Sequence, residues 1–172
     1  IAARYAQKQH QAERVVIIDW DVHHGNGTQQ IFEEDPTVLY ISMHQSPHYP
    51  FTGMAWERGK GEGEGFTLNI PVEAGAGNDI YSQAFNDIVV PAVTRYRPDF
   101  IFLSAGFDTH RDDPLSDTVV TEAGFASMMH GILDLADDLC DARLVSMLEG
   151  GYDLDTLARC VVQHILMMTD RK

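Results

Sequence analysis

Basic residues are scarce in this chain. Twelve Lys and Arg stand against 26 Asp and Glu in 172 residues, a formal charge of −14. That balance disfavours a nucleic-acid partner, because neutralising phosphates takes clustered Lys and Arg and no cluster is visible. An acidic surface is compatible with a basic substrate and does not by itself demand one. Cysteine is almost missing too. Cys140 and Cys160 have neither CxxC nor zinc-finger spacing, so a disulfide framework and a structural zinc site are both disfavoured. No apolar run approaches the ~20 residues needed to span a bilayer, and the N-terminus is not a secretory signal. These absences read as a reduced, cytoplasmic protein without a membrane role. There is also no initiator Met and no helix cap: Ile1-Ala-Ala-Arg-Tyr-Ala-Gln-Lys looks like a helix already under way. The chain is therefore expected to be the C-terminal portion of something longer. No internal repeat or domain boundary is evident, and residues 1–172 read as one domain with an adequate core.

The most informative segment is Val15-Val16-Ile17-Ile18-Asp19-Trp20-Asp21-Val22-His23-His24-Gly25. Four consecutive β-branched residues predict a buried parallel strand. The strand then breaks into ionisable groups. Strict alternation would aim Asp19, Asp21 and His23 one way and Trp20, Val22 and His24 the other. Further strands are predicted at Val38–Met43, Phe66–Ile70, Phe100–Ser104 and Leu144–Leu148, after a first strand at Arg14–Ile18. Helices are expected through about residue 12, after Gly27, from Asn78 to about Arg95, from Thr121 to about Asp141, and from Asp153 to the C-terminus. Pro91 implies a kink or an earlier stop in the third of these. Strands alternating with helices give an α/β fold with a parallel sheet covered on both faces.

Ligands in such sheets collect at the carboxyl ends of strands. Four of the five predicted strands end in polar residues. The first delivers Asp19, Asp21 and His23, the second Ser42 and His44, the fourth Ser104 and Asp108, and the fifth Glu149-Gly150-Gly151-Tyr152. Asp21, His23 and Asp108 together offer two carboxylates and an imidazole. That set leaves a fourth position open on a divalent metal, as in catalytic rather than structural zinc sites. Tyr152, freed by two glycines, can donate a hydrogen bond to an oxyanion. Gly59-Lys-Gly-Glu-Gly-Glu-Gly lacks the ending of a phosphate-binding loop and carries carboxylates that repel phosphate, so it reads as a turn. Asp19-x-Asp21 is similar to the start of a haloacid-dehalogenase-type phosphotransferase, but His23 stands where that family needs a small hydroxyl or apolar residue.

Four ordered segments carry a more specific likeness: Asp19-Trp-Asp-Val-His-His-Gly-Asn-Gly-Thr, Leu39-Tyr-Ile-Ser-Met-His, Ser104-Ala-Gly-Phe-Asp and Leu148-Glu-Gly-Gly-Tyr-Asp-Leu. Together they resemble the zinc-dependent histone deacetylase and acetylpolyamine amidohydrolase superfamily, in its bacterial or class II-like branch, over essentially the whole chain. The resemblance implies a three-layer arginase/deacetylase-type fold. It implies Zn2+, or another divalent metal, on Asp21, His23 and Asp108, with Tyr152 polarising the scissile carbonyl. Tyr49, Gly150 and Gly151 would line the substrate channel, and Asp19 would stand behind the ligands. One structural K+ would rest on Asp19, Asp21, His23, Ser42 and Met43, and a second on Phe32, Asp35 and Val38. Arginase-like members hold two manganese ions through acidic residues where this chain has His24 and His110, so a mononuclear site is implied.

One departure bears on activity. The family's general base belongs to a Gly-His-His segment upstream of the zinc strand, and two early strands at one sheet edge also precede it. Both are expected upstream of residue 1, so this portion alone is expected to be inactive. The leading expectation is an amidohydrolase acting on acetylated lysine peptides or acetylpolyamines. The alternative is a non-catalytic acyl-lysine-binding or partner subunit of the same fold. The rim segments Gln45–Trp56 and Thr109–Val120 are expected to set substrate choice, with Asp112 and Asp113 either solvated or facing a cationic substrate. The oligomeric state is left open.

Overall fold

A computed structural model of the protein describes residues 1–170. Helix α1, Ala2–His10, buries Ala3 and Ala6 and ends at Gln11 in the left-handed region. The chain then turns into β1, Val15–Asp19, whose five residues are all buried. Asp99 secures that turn: its Oδ2 accepts the backbone N–H groups of Glu13 and Arg14, each at 2.8 Å.

The remaining strands are β2 (Val38–Gln45), β3 (Thr67–Val72), β4 (Phe100–Ala105) and β5 (Leu144–Leu148). Among the described residues they form one sheet in the order β3-β2-β1-β4-β5, with every neighbouring pair parallel. The helices are α2 (Asn26–Phe32), α3 (Asn78–Ala84), α4 (Val90–Tyr96), α5 (Glu122–Cys140) and α6 (Leu154–Thr169). Period-two alternation along β1 builds the layers. Val16 and Ile18 enter one core with residues of α3, α4, α5 and α6, while Val15 and Ile17 enter another with Ala3, Ala6 and Phe32. Each of these aliphatic side chains contributes roughly 1.5–3 kcal/mol by leaving water, which is why the run cannot slip register. This is the expected α/β fold with a central parallel sheet.

The predicted strands coincide with the observed ones to within two residues. β2 runs further than expected, so His44 lies inside the strand rather than beyond it. Pro91 does not stop its helix. The interruption precedes it as a π-helical turn at Phe85–Val89, which leads into α4 and seats the proline within its first turn. A widened turn relieves the loss of an N–H donor and the clash with the preceding carbonyl. The Asp153 side chain caps α6 by accepting the Thr156 N–H at 2.8 Å. The expected run of this helix to the C-terminus falls partly on residues 171 and 172, which lie outside the described residues. No helix among the described residues is long and apolar enough to cross a membrane.

What positions the site is the direction of the chain. It moves outward from β1 to β2 and β3, then returns to lay β4 on the other side of β1. The loops leaving the carboxyl ends of β1 and β4 therefore diverge and leave a crevice. The register pairs Asp19 with Ser104, which sets the segments after the two strands side by side. Gly106 lets them touch, since a Cβ there would lie 2.5 Å from the Asp21 Cα.

Candidate metal centre

Asp21, His23 and Asp108 converge in that crevice, with one ligand atom of each within 4.8 Å of the others. His23 Nδ1 lies 3.0 Å from Asp21 Oδ1 and 3.2 Å from Asp108 Oδ2. Backbone donors hold the carboxylates in place. Asp21 accepts the His23 N–H on Oδ1 and the Gly150 N–H on Oδ2, both at 2.8 Å, and Asp108 Oδ1 accepts the Val22 N–H at 2.8 Å. Asp108 Oδ2 is buried and receives no hydrogen bond. An uncompensated buried carboxylate oxygen is costly, and a cation at this point would satisfy it. Electrostatics make the same demand. His23 is raised to about 10, first by the nearby Asp108 carboxylate and then by Asp21. Asp108 is raised to about 6 by burial. A proton on His23 thus supplies positive charge between the two carboxylates. The donor set fits a divalent metal with an open position.

Gly150 is indispensable here, because a Cβ on it would come within 2.6 Å of Asp21 Oδ2. The structure thus places Gly150 against the carboxylates, and Gly151 against Leu157 and Phe107. Tyr152 follows, 48% exposed, its ring 6.4 Å from the His23 ring. Its phenol is raised by burial and by the charges of Asp108 and Asp21, so it stays protonated. The Tyr49 ring also lies near that of His23, at 6.3 Å, and is 68% exposed.

Asp19 lies beneath. Its Oδ1 accepts the Asp21 N–H at 3.1 Å and its Oδ2 accepts the Tyr40 hydroxyl at 3.0 Å. Burial, together with the Asp21 charge, raises this carboxyl well above its usual range. Ser42 pairs with Asp19 in the β1–β2 register, and Met43 follows it, fully buried. The Phe32 and Asp35 carbonyls lie in successive turns, accepting the Asp35 and Val38 N–H groups at 2.9 and 3.3 Å.

Several readings of the sequence are corrected. His24 does not share a face with Trp20 and Val22. β1 ends at Asp19, and His24 turns toward Tyr40 and His44, with ring centroids at 6.4 and 4.8 Å. His110, which was not expected on the metal, is buried, stacks on Phe125 and lies 3.2 Å from Glu122 Oε2. Asp113 is neither solvated nor facing the crevice. It is 6% exposed and accepts the Leu115 N–H at 2.9 Å and the Tyr152 N–H at 2.7 Å. Sequence reasoning also passed over His48, whose ring lies 5.0 Å from that of His23 and whose buried Nε2 has no partner. Glu57 and Gln29 were passed over as well. Nothing in local spacing signals these roles, because their partners are backbone groups or residues far along the chain.

The histone deacetylase domain model matches residues 1–168. The chain is 47% identical over 161 residues to histone deacetylase 14, chloroplastic, of Arabidopsis thaliana, covering 94% of this chain and 38% of that protein. It is 48% identical over 143 residues to a probable deacetylase of Archaeoglobus fulgidus, covering 83% of this chain and 40% of the relative. To the histone deacetylase-like amidohydrolase of Pseudomonas aeruginosa it is 42% identical over 154 residues, covering 88% and 40%. The crystal structure of the HDA15 HD domain superposes with a TM-score of 0.91 at 43% identity, covering 97% of this chain and 47% of that one. The chain thus spans less than half the length of these relatives.

Proposed function

The chain belongs to the histone deacetylase family, and from that premise we propose that it forms part of a zinc-dependent amidohydrolase that removes acyl groups from lysine side chains or acetylated polyamines. The observation carrying this reading is the convergence of Asp21, His23 and Asp108, with the buried Asp108 Oδ2 beside His23 and free of hydrogen bonds. We take residues 1–172 as one portion of a single catalytic domain. Asp21, His23 and Asp108 would hold the metal, which when bound supplies Lewis-acid activation of water and of the acyl carbonyl.

The chain's own residues do the rest. Tyr152, kept protonated beside two carboxylates, donates a hydrogen bond to the oxyanion that develops on the acyl oxygen. Tyr49, whose ring also lies near His23, is our candidate for an aromatic wall of an acyl-lysine channel, to which Gly150 and Gly151 would contribute backbone. A pocket of about 360 Å³ is lined by Asp21, His23, Gly150 and Tyr152 among others. As part of the same proposal we assign structural K+ to Asp19, Asp21, His23, Ser42 and Met43, and a second K+ to Phe32, Asp35 and Val38. The proposed general base is a histidine pair outside residues 1–172, so this portion by itself is expected to be inactive. The formal charge of −14 favours cationic substrates, and a cytoplasmic location belongs to the same proposal.

A second reading, a non-catalytic acyl-lysine binder, rests on one observation. His24 and His44 are tied into buried hydrogen bonds, so among the described residues His48 is the one histidine that faces His23. The deciding experiment is acetate release by the full-length protein with zinc, offered acetyl-lysine peptides and acetylpolyamines. Hydrolysis supports the enzyme. Binding without turnover supports the binder, and neither result with correctly folded, zinc-loaded protein overturns both.

A further inference from the structure

The rim segment that carries His48 and Tyr49 is held from below by a partly buried relay that the metal chemistry does not use. Glu57 Oε1 accepts the Gly53 and Met54 N–H groups at 3.0 and 2.9 Å, and Oε2 accepts the Gln29 side-chain amide at 2.7 Å. Because the Gln29 nitrogen is spent on Glu57, its oxygen must be the acceptor for His24 Nε2 at 2.9 Å and for Asn69 Nδ2 at 2.7 Å. His24 therefore carries its proton on Nε2 and accepts the Thr52 hydroxyl on Nδ1, at 2.8 Å. His44 completes the cradle, with Nε2 donating to the Gly53 carbonyl at 2.9 Å. Gly53, in the left-handed region at φ 83, fits between the two imidazoles where a Cβ would lie 2.5 Å from His24 and 2.6 Å from His44. Burial opposes the charge on Glu57, but the Met54, Gln29 and Gly53 donors outweigh it and hold the carboxyl below its usual range.

Every link has one polarity: a carboxylate accepts from an amide, whose oxygen accepts from an imidazole in the residue next to His23. We infer that Glu57 is a positioning residue which, through Gln29 and His24, fixes the Tyr49 wall against the His23 strand end and so sets the fit of the acyl-lysine channel. The inference rests on the deacetylase reading for its kinetic consequence, but the placement of the loop is measurable without turnover.

The polarity supplies the test. Gln29→Glu sets a carboxylate against the Glu57 carboxylate, and after Glu57→Gln the Gln29 amide can answer only by turning over, at the cost of its Asn69 bond and the His24 tautomer, so either single change disturbs the relay. The double variant E57Q/Q29E rebuilds it with the charge moved one residue along. In the full-length zinc protein, amide exchange across residues 49–56 should accelerate ~10-fold or more in each single variant and return to within about twofold in the double. KM for an acetyl-lysine peptide should rise ~10-fold in the singles with kcat nearly unchanged, and recover in the double. Exchange and KM unmoved by Glu57→Gln, or a double variant no better than the singles although equally folded by circular dichroism, overturns the inference. If the wild-type protein hydrolyses nothing, the deacetylase reading fails, and the exchange arm still decides whether the relay places the loop.

Discussion

The floor and the mouth of the crevice are built by different means. The floor is Asp21, His23 and Asp108, on segments that leave adjacent parallel strands in fixed register. Its carboxylates are gripped by backbone donors 86 and 129 residues away in sequence. The mouth is aromatic and exposed, with Tyr49, Phe51 and Tyr152 at 68, 73 and 48%. No strand holds these rings. Each side instead has a carboxylate beneath it that binds backbone: Glu57 under Gly53 and Met54, and Asp113 under Tyr152. The difference separates two tasks. The proposed metal site would tolerate little displacement and is built on the sheet, while the proposed substrate mouth can change with its loops as long as a carboxylate anchors them.

Perturbations should therefore sort by layer. Asp21→Ala removes a proposed ligand and the acceptor of the Gly150 N–H. It should lower zinc affinity at least ~100-fold and abolish turnover, and calorimetry showing unchanged affinity would remove Asp21 from the floor. Tyr152→Phe leaves the floor intact. Its kcat should fall ~100-fold with zinc content unchanged, the loss expected for one oxyanion donor. Asp113→Ala should cost about 2 kcal/mol of stability, from backbone donors left buried without a partner. It should also lower kcat by ~10-fold through Tyr152, and a urea melt with steady-state rates checks both.

The scaffold under the mouth titrates in a definite direction. Burial, aided by the His24 charge, depresses His44 from 6.5 to about 4. Between those values the unfolded chain takes up a proton that the folded chain refuses, so stability is lost as pH falls through the window. The loss is at most about 3 kcal/mol. Denaturant melts of the metal-free protein at pH 7 and 4.5 should show it, and His44→Gln should shrink it. The smallest effect is at Phe51, which adopts φ 64 while largely exposed. Phe51→Gly should gain about 1 kcal/mol by relieving left-handed strain, read as a rise in Tm. No gain would mean that contacts of the ring offset the strain.

Much of the floor was legible in the sequence because its residues sit at the ends of apolar runs. Val15–Ile18 and Phe100–Leu103 announce buried strands, and in a parallel sheet their carboxyl ends are where polar groups meet. The mouth was less legible. Tyr49 and Tyr152 stood out, but Asp113 looked like one more loop carboxylate, and Glu57, between the rim segment and the Gly-rich turn, carried no signal of its own. His24 was assigned to the wrong face because alternation was extended past the strand, whose ladder ends at Asp19.

The sequence by itself determined the alternation of strands and helices, the donor set Asp21, His23 and Asp108, and a likeness to deacetylases. Those rest on hydrophobic runs, on residue chemistry and on motifs read in order, all of which are local. The tertiary structure alone decided which carboxylates face the crevice and which brace its loops. Asp108 and Asp113 are five residues apart and equally acidic on paper. One is left with a bare oxygen beside His23 and the other is filled by the Leu115 and Tyr152 N–H groups, because backbone donors reach a side chain only once distant segments have packed.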